Sequence, residues 1–114
     1  MGAKDSAGFV RLFMVPGMQH CGGGSGPNNF GQGTVAHTDP LHDIDAALER
    51  WVEDGAAPEQ IIATKYKDDQ NVSSGVVRTR PLCPYPQVAR WKGTGSTDDA
   101  ANFVCARLET ARAK

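Results

Sequence analysis

The sequence has no excess of charge of one sign: 12 basic residues stand against 13 acidic ones, a net charge of −1 over 114 residues. Nucleic-acid and polyanion surfaces need a clustered basic excess, so no nucleic-acid partner is expected. Long apolar runs are also missing. Nothing approaches the roughly 20 apolar residues of a membrane-spanning helix, so no membrane partner is expected. The opening Met1-Gly2-Ala3-Lys4-Asp5-Ser6 lacks the apolar core of a secretory signal. Cysteine is scarce, with three in all. An odd count leaves one thiol without an internal partner in an oxidising compartment.

What the chain does have is glycine and proline, 13 and 7 residues, which implies much backbone spent on turns and loops. The length allows one domain at most, with a thin core, because small chains bury a smaller fraction of their surface. Residues 8–15 (Gly-Phe-Val-Arg-Leu-Phe-Met-Val) read as a strand apolar on both faces, as in a parallel sheet. Pro16-Gly17 ends it, and residues 17–36 read as a glycine-rich loop. Thr38-Asp39-Pro40 is a helix start, with Asp39 as cap and Pro40 at the first helical position. Leu41, Ile44, Leu48, Trp51 and Val52 then recur at helical spacing. Gly55 and Pro58 stop the pattern, which predicts a helix over 40–54. Strands are expected at 61–66 and 76–80, separated by a polar turn at 67–75. Residues 81–86 are too proline-rich for a paired central strand. A short edge strand is expected at 88–92, a helical turn at 97–103 and a frayed helix at 106–114. Trp51 is expected in the core, and Tyr85 and Trp91 partly exposed.

The stretch that points to chemistry is Val15-Pro16-Gly17-Met18-Gln19-His20-Cys21-Gly22-Gly23-Gly24. It sets a histidine at the end of a strand-like run, beside a cysteine, at the mouth of a glycine-rich loop. Serine hydrolases of the α/β type keep their catalytic base in such a place, after the nucleophile and the acid in chain order. No G-x-S-x-G occurs, and Gly24-Ser25-Gly26 lies in a loop rather than in a strand-to-helix elbow. The glycines lack the Gly-Lys-Ser/Thr ending of a phosphate-binding loop. Cys21 with His20, and His37 and His42 downstream, matches no standard zinc spacing, so no metal and no other cofactor is expected.

Residues 11–24, from Arg11-Leu12-Phe13-Met14 through His20-Cys21-Gly22-Gly23-Gly24, resemble the histidine loop of the tannase and feruloyl esterase family. Residues 47–61, Arg78-Thr79-Arg80-Pro81-Leu82-Cys83-Pro84-Tyr85-Pro86 and Phe103-Val104-Cys105 follow the same family in the same order. Members are α/β-hydrolases several times longer than this chain that cleave esters of aromatic acids, and are secreted. The resemblance implies that residues 1–114 are a single partial domain, the C-terminal portion of such a fold. It implies that His20 is the catalytic base and that Cys83 and Cys105 form a disulfide. It implies that Cys21 is a half-disulfide whose partner lies beside the nucleophilic serine, outside this chain or on a second one. It also implies a secreted or periplasmic setting. Met1-Gly2-Ala3-Lys4 resembles family sequence ahead of the last strand, so Met1 is expected to match an internal position of a longer ancestor.

Three readings follow. In the first, the chain is an ester-hydrolase segment, inactive alone, whose aromatic-acid ester substrate is met only once the upstream part is supplied. In the second, it is a non-catalytic interaction protein that self-associates through its exposed strand, a homo-oligomer. In the third, it is a small esterase whose serine is Ser25, Ser73 or Ser74, none of which has elbow context.

Overall fold

A computed structural model of the chain describes residues 8–32 and 39–108. The expectations for Met1 to Lys4, His37, the 33–36 part of the loop and the 109–114 part of the C-terminal helix lie outside these residues, as does Thr38.

Among the described residues there is one α-helix, α1, spanning Ile44–Asp54. It begins later than the sequence predicts. The Asp39 carboxylate accepts the N–H groups of Leu41 and His42 at 2.9 and 3.0 Å, but this closes a turn rather than starting the helix. Asp43 is extended (φ −134°, ψ 117°). Its carboxylate takes the N–H groups of Asp45 and Ala46 at 2.8 and 3.2 Å, so Asp43 is the true cap. Two aspartate caps in succession divide what one apolar stripe suggests is continuous. Gly55 ends α1 as expected, with φ 73° and its N–H on the Trp51 carbonyl. Ala47 is buried and Ile44 and Trp51 are half-buried, whereas Leu48 and Val52 remain 56% and 77% exposed.

The strand β1 (Ile61–Asp68) pairs antiparallel with β2 (Asn71–Leu82), in register from Ile61 opposite Leu82 to Lys65 opposite Arg78, with two irregular steps between there and Asp68 opposite Asn71. The expected polar turn at 67–75 shrinks to residues 69–70, and both strands lengthen into it. Pro81 sits in β2 opposite Ile62. It is tolerated because β2 has no strand on its other edge among the described residues, and there the missing N–H costs no ladder bond. The register slips between Lys65 and Tyr66, whose partners are Arg78 and Val76, leaving Val77 unpaired as a bulge.

A second antiparallel pair joins β3 (Gln87–Trp91) to β4 (Phe103–Arg107). The expected helical turn is a single 3-10 turn at Ala100–Asn102, capped by Asp99. The expected helix from residue 106 is not formed where the chain is described. Ala106 pairs with Val88 and Arg107 with Gln87, so strand pairing overrides the local alanine-rich preference. A disulfide between Cys83 and Cys105, with Cα atoms 5.5 Å apart, ties the end of β2 to β4.

Residues 8–15 depart most from expectation. They form no strand; their backbone meets the rest of the chain at one bridge, Phe13 opposite Pro84, and at the Tyr85 N–H on the Leu12 carbonyl at 2.7 Å, while the Arg11 side chain reaches Glu59 at 3.8 Å. A strand is defined by its neighbours, and this run has a single bridge partner among the described residues. Phe13 and Val15 turn inward onto a core of Phe30, Ala47, Ile61, Ala63 and Leu82. Phe9, Leu12 and Met14 stay more than half exposed.

Candidate active-site loop

The loop after Val15 is closed by two backbone hydrogen bonds. The Gly26 N–H donates to the Gly17 carbonyl at 3.0 Å and closes its base. The Gln19 N–H donates to the Gly23 carbonyl at 3.2 Å and closes a tight turn. His20 and Cys21 are the tip of that turn, both exposed. The two limbs lie so close that a side chain would not fit between them. Gly24 has φ 96°, and a Cβ there would collide with the Gly17 carbonyl. Cys21 itself is left-handed at φ 65°, an uncommon conformation for a non-glycine residue. Its sulfur lies 3.1 Å from Nδ1 and 3.8 Å from Nε2 of His20. Cys21 is a free thiol, and the other two cysteines are bonded to each other.

The returning limb is held against β1. The N–H groups of Asn28 and Asn29 both reach the Thr64 carbonyl, and the Thr64 N–H returns to the Asn29 carbonyl at 2.8 Å. Asn28 is buried, and its side-chain amide donates to the Gly26 carbonyl at 3.1 Å and to Asp69 Oδ1 at 3.4 Å. The Lys65 ammonium donates to the Gly24 carbonyl at 3.0 Å and to both Asp69 oxygens at 2.8 and 3.0 Å. The hydrogen bond from Lys65, helped by Asn28, holds the Asp69 carboxyl below its ordinary range. Sequence reading passed over this trio. The available signal was a single cationic residue, Lys65, in the otherwise buried run 61–66.

The Ser73 hydroxyl donates to Asn71 Oδ1 at 2.6 Å. The Ser74 hydroxyl accepts the Asp68 N–H at 2.9 Å. Both belong to β2. Ser25 is exposed and lines a cavity of about 290 Å³ with Pro16, Arg78 and Arg80. His42 pairs with Asp39, at 3.0 Å from Nδ1 to Oδ1, and this hydrogen bond lowers the Asp39 pKa. Among the described residues, no three histidine, cysteine, aspartate or glutamate side chains gather into a metal-holding group. Trp51 is half-buried under the Arg11 guanidinium, 5.2 Å from its ring centre. Tyr85 and Trp91 are 59% and 43% exposed.

This arrangement displays an imidazole on a braced loop, a geometry suited to proton transfer with groups brought from outside. Comparisons with known proteins bear on the family of the chain. The chain is 57% identical over 100 residues to an uncharacterized esterase of Xanthomonas campestris, covering 85% of this chain and 17% of that protein. It is 46% identical over 101 residues to the mono(2-hydroxyethyl) terephthalate hydrolase of Piscinibacter sakaiensis, covering 89% of this chain and 14% of the relative. Its backbone matches a crystal structure of an esterase from Aspergillus oryzae with a TM-score of 0.82 and 32% identity, over 93% of this chain and 21% of that one. Feruloyl esterase B from the same organism matches with a TM-score of 0.79, over 93% of this chain and 20% of that one. The chain thus spans about a fifth or less of the length of these relatives. The model of the family named tannase and feruloyl esterase matches residues 1–106, and the chain belongs to that family.

Proposed function

We propose that these residues are a single partial domain, the C-terminal portion of an α/β-hydrolase catalytic domain that cleaves carboxylic esters, and that His20 is its general base. The observation that carries this reading is the position of His20, exposed at the tip of a loop that two backbone hydrogen bonds and β1 hold in place. A base needs a serine to deprotonate and a carboxylate to fix its tautomer. In this reading both come from upstream sequence, since G-x-S-x-G does not occur in the 114 residues. His20 takes the serine proton during attack on the ester carbonyl and returns it to the leaving alcohol. Two relatives are named for feruloyl and terephthalate esters, so an ester of an aromatic acid is the proposed substrate class. Cys21 is the proposed half of a disulfide to that upstream part, and the setting is secreted or periplasmic, where the Cys83–Cys105 bond persists.

The test compares methyl ferulate hydrolysis by the 114-residue chain with that by His20→Ala. Equal, background-level rates are expected. A rate that exceeds background and disappears in the variant would mean that a full site assembles from this chain, and the segment reading would fail.

A second reading is favoured by the exposed apolar side chains of Phe9, Leu12 and Met14. In it the chain is a homo-oligomer that covers this run with a second copy. Sedimentation of the purified chain distinguishes the two: a monomer that stays soluble contradicts self-association.

A further inference from the structure

We infer that Lys65 is the positioning residue for His20, acting through the Gly24 carbonyl. The inference rests on the reading of His20 as base, and deepens it. Gly24 stands between the two hydrogen bonds that close the loop, one from Gln19 to Gly23 and one from Gly26 to Gly17. A pull on its carbonyl therefore fixes the turn that carries His20 relative to the base of the loop.

Lys65 supplies that pull. An ammonium has three N–H groups and no acceptor. Here they meet three oxygens, Gly24 O and the two of Asp69, at 2.8–3.0 Å. The Lys65 and Asp69 side chains are 18% and 27% exposed, so the pair is partly shielded from water. The only other side chain on the Gly24 carbonyl among the hydrogen bonds described is Asn28, at a long 3.5 Å. The bulge in the β1–β2 pairing falls at Lys65 and Tyr66. Its extra residue is Val77 on β2, and Lys65 itself keeps its place opposite Arg78, interrupting the buried run of β1. A mere hairpin staple would need only the contact between Lys65 and Asp69. The third donor, spent on a loop 41 residues away in sequence, is what that account leaves over.

The test uses nitrogen-15 relaxation on the full 114-residue chain. In Lys65→Met, backbone order parameters over 19–26 are expected to fall from about 0.85 to below about 0.6. Those of β3 and β4 should stay as in the parent. Lys65→Arg, which restores a cation with several donors, should recover at least part of the order. Should Lys65→Met lower the melting temperature too far for comparison, Asp69→Asn serves instead, because it weakens the anchor and leaves the lysine. Unchanged order over 19–26, with any loosening confined to 66–76, overturns the inference.

A kinetic arm separates this inference from the reading beneath it. The chain is grafted in place of the matching segment of the Xanthomonas campestris esterase. There Lys65→Met is expected to lower kcat by about tenfold to a hundredfold, the scale of a misplacement of about 1 Å. KM should stay within about twofold. Added to His20→Ala, the same change should have no further effect, as for residues that act as one unit. A graft that dies with His20→Ala but keeps its full kcat with Lys65→Met rejects Lys65 alone. A graft indifferent to His20→Ala rejects the base, and positioning with it.

Discussion

Two runs rich in apolar residues meet opposite fates in this molecule. Residues 61–66 become β1, where Ile61 and Ala63 are fully buried. Residues 9–15 carry more large apolar side chains, six against three, yet Phe9 is 64% and Met14 59% exposed. The difference is in what flanks them. β1 has β2 on one edge, the Asn28–Asn29 limb on the other, and α1 with Phe30 over its face. The 9–15 run touches Pro84 and Tyr85 and little else on its edges. Hydrophobicity makes a segment want burial, and the neighbours within reach decide whether burial happens. In the proposed whole enzyme the missing neighbour of 9–15 is the upstream sheet.

That contrast can be broken first at Ile61. Ile61→Ala leaves a cavity in the densest part of the core and should cost about 2–5 kcal/mol, read as a lower urea midpoint. The parallel change Met14→Ala should stay within about 0.5 kcal/mol in the isolated chain, as for other exposed positions. A large loss at Met14 would mean that a second copy covers it.

The next effect in size is the disulfide. Replacing Cys83 and Cys105 by alanine opens a loop of 22 residues, and should cost roughly 3 kcal/mol by the chain-entropy estimate. The comparison sharpens, because β3 and β4 should loosen while β1 and β2, closed by their own turn, persist. Hydrogen exchange on the β4 amides checks this.

Smaller again is the cap. Asp43→Ala should remove about 1 kcal/mol, and circular dichroism should lose helix signal at lower temperature. Asp39→Ala should not shorten α1, because Asp39 caps only the preceding turn.

The smallest effect is with pH. Asp69 has a native pKa below its ordinary value near 3.8. A carboxyl lowered on folding adds stability that is fully present above that ordinary value and is lost as pH falls through the native one. Acidification below about pH 4 should therefore loosen the 19–26 amides in the parent chain, and Asp69→Asn should abolish this dependence.

Much of the fold was legible in the sequence where a local rule and its tertiary context agree. Gly55 stops α1 because only a left-handed residue suits that position. The 61–66 run is a strand because its apolar side chains find cover. The family likeness pointed to the Cys83–Cys105 bond, which the structure contains. Other features depend on partners that a linear reading does not show. Asp39 and Asp43 are equally good caps in isolation, and backbone extension at Asp43 decides between them. Pro81 reads as a strand breaker until β2 proves to have a free edge. Ala106 reads as helical until Val88 pairs with it. The loop of His20 was legible as a candidate. Its brace by Lys65, Asp69 and Asn28 was not, because those residues are brought together by the turn after β1 and by the backbone bond from Asn28 to Thr64, and not by a motif.

The most direct test of the account is ester hydrolysis by the graft of this chain in the Xanthomonas campestris esterase, with and without His20→Ala. Loss of a triad base should lower kcat by about a thousandfold or more, with the protein still folded. A graft that hydrolyses methyl ferulate equally well with alanine at position 20 would contradict the assignment of His20 as the base.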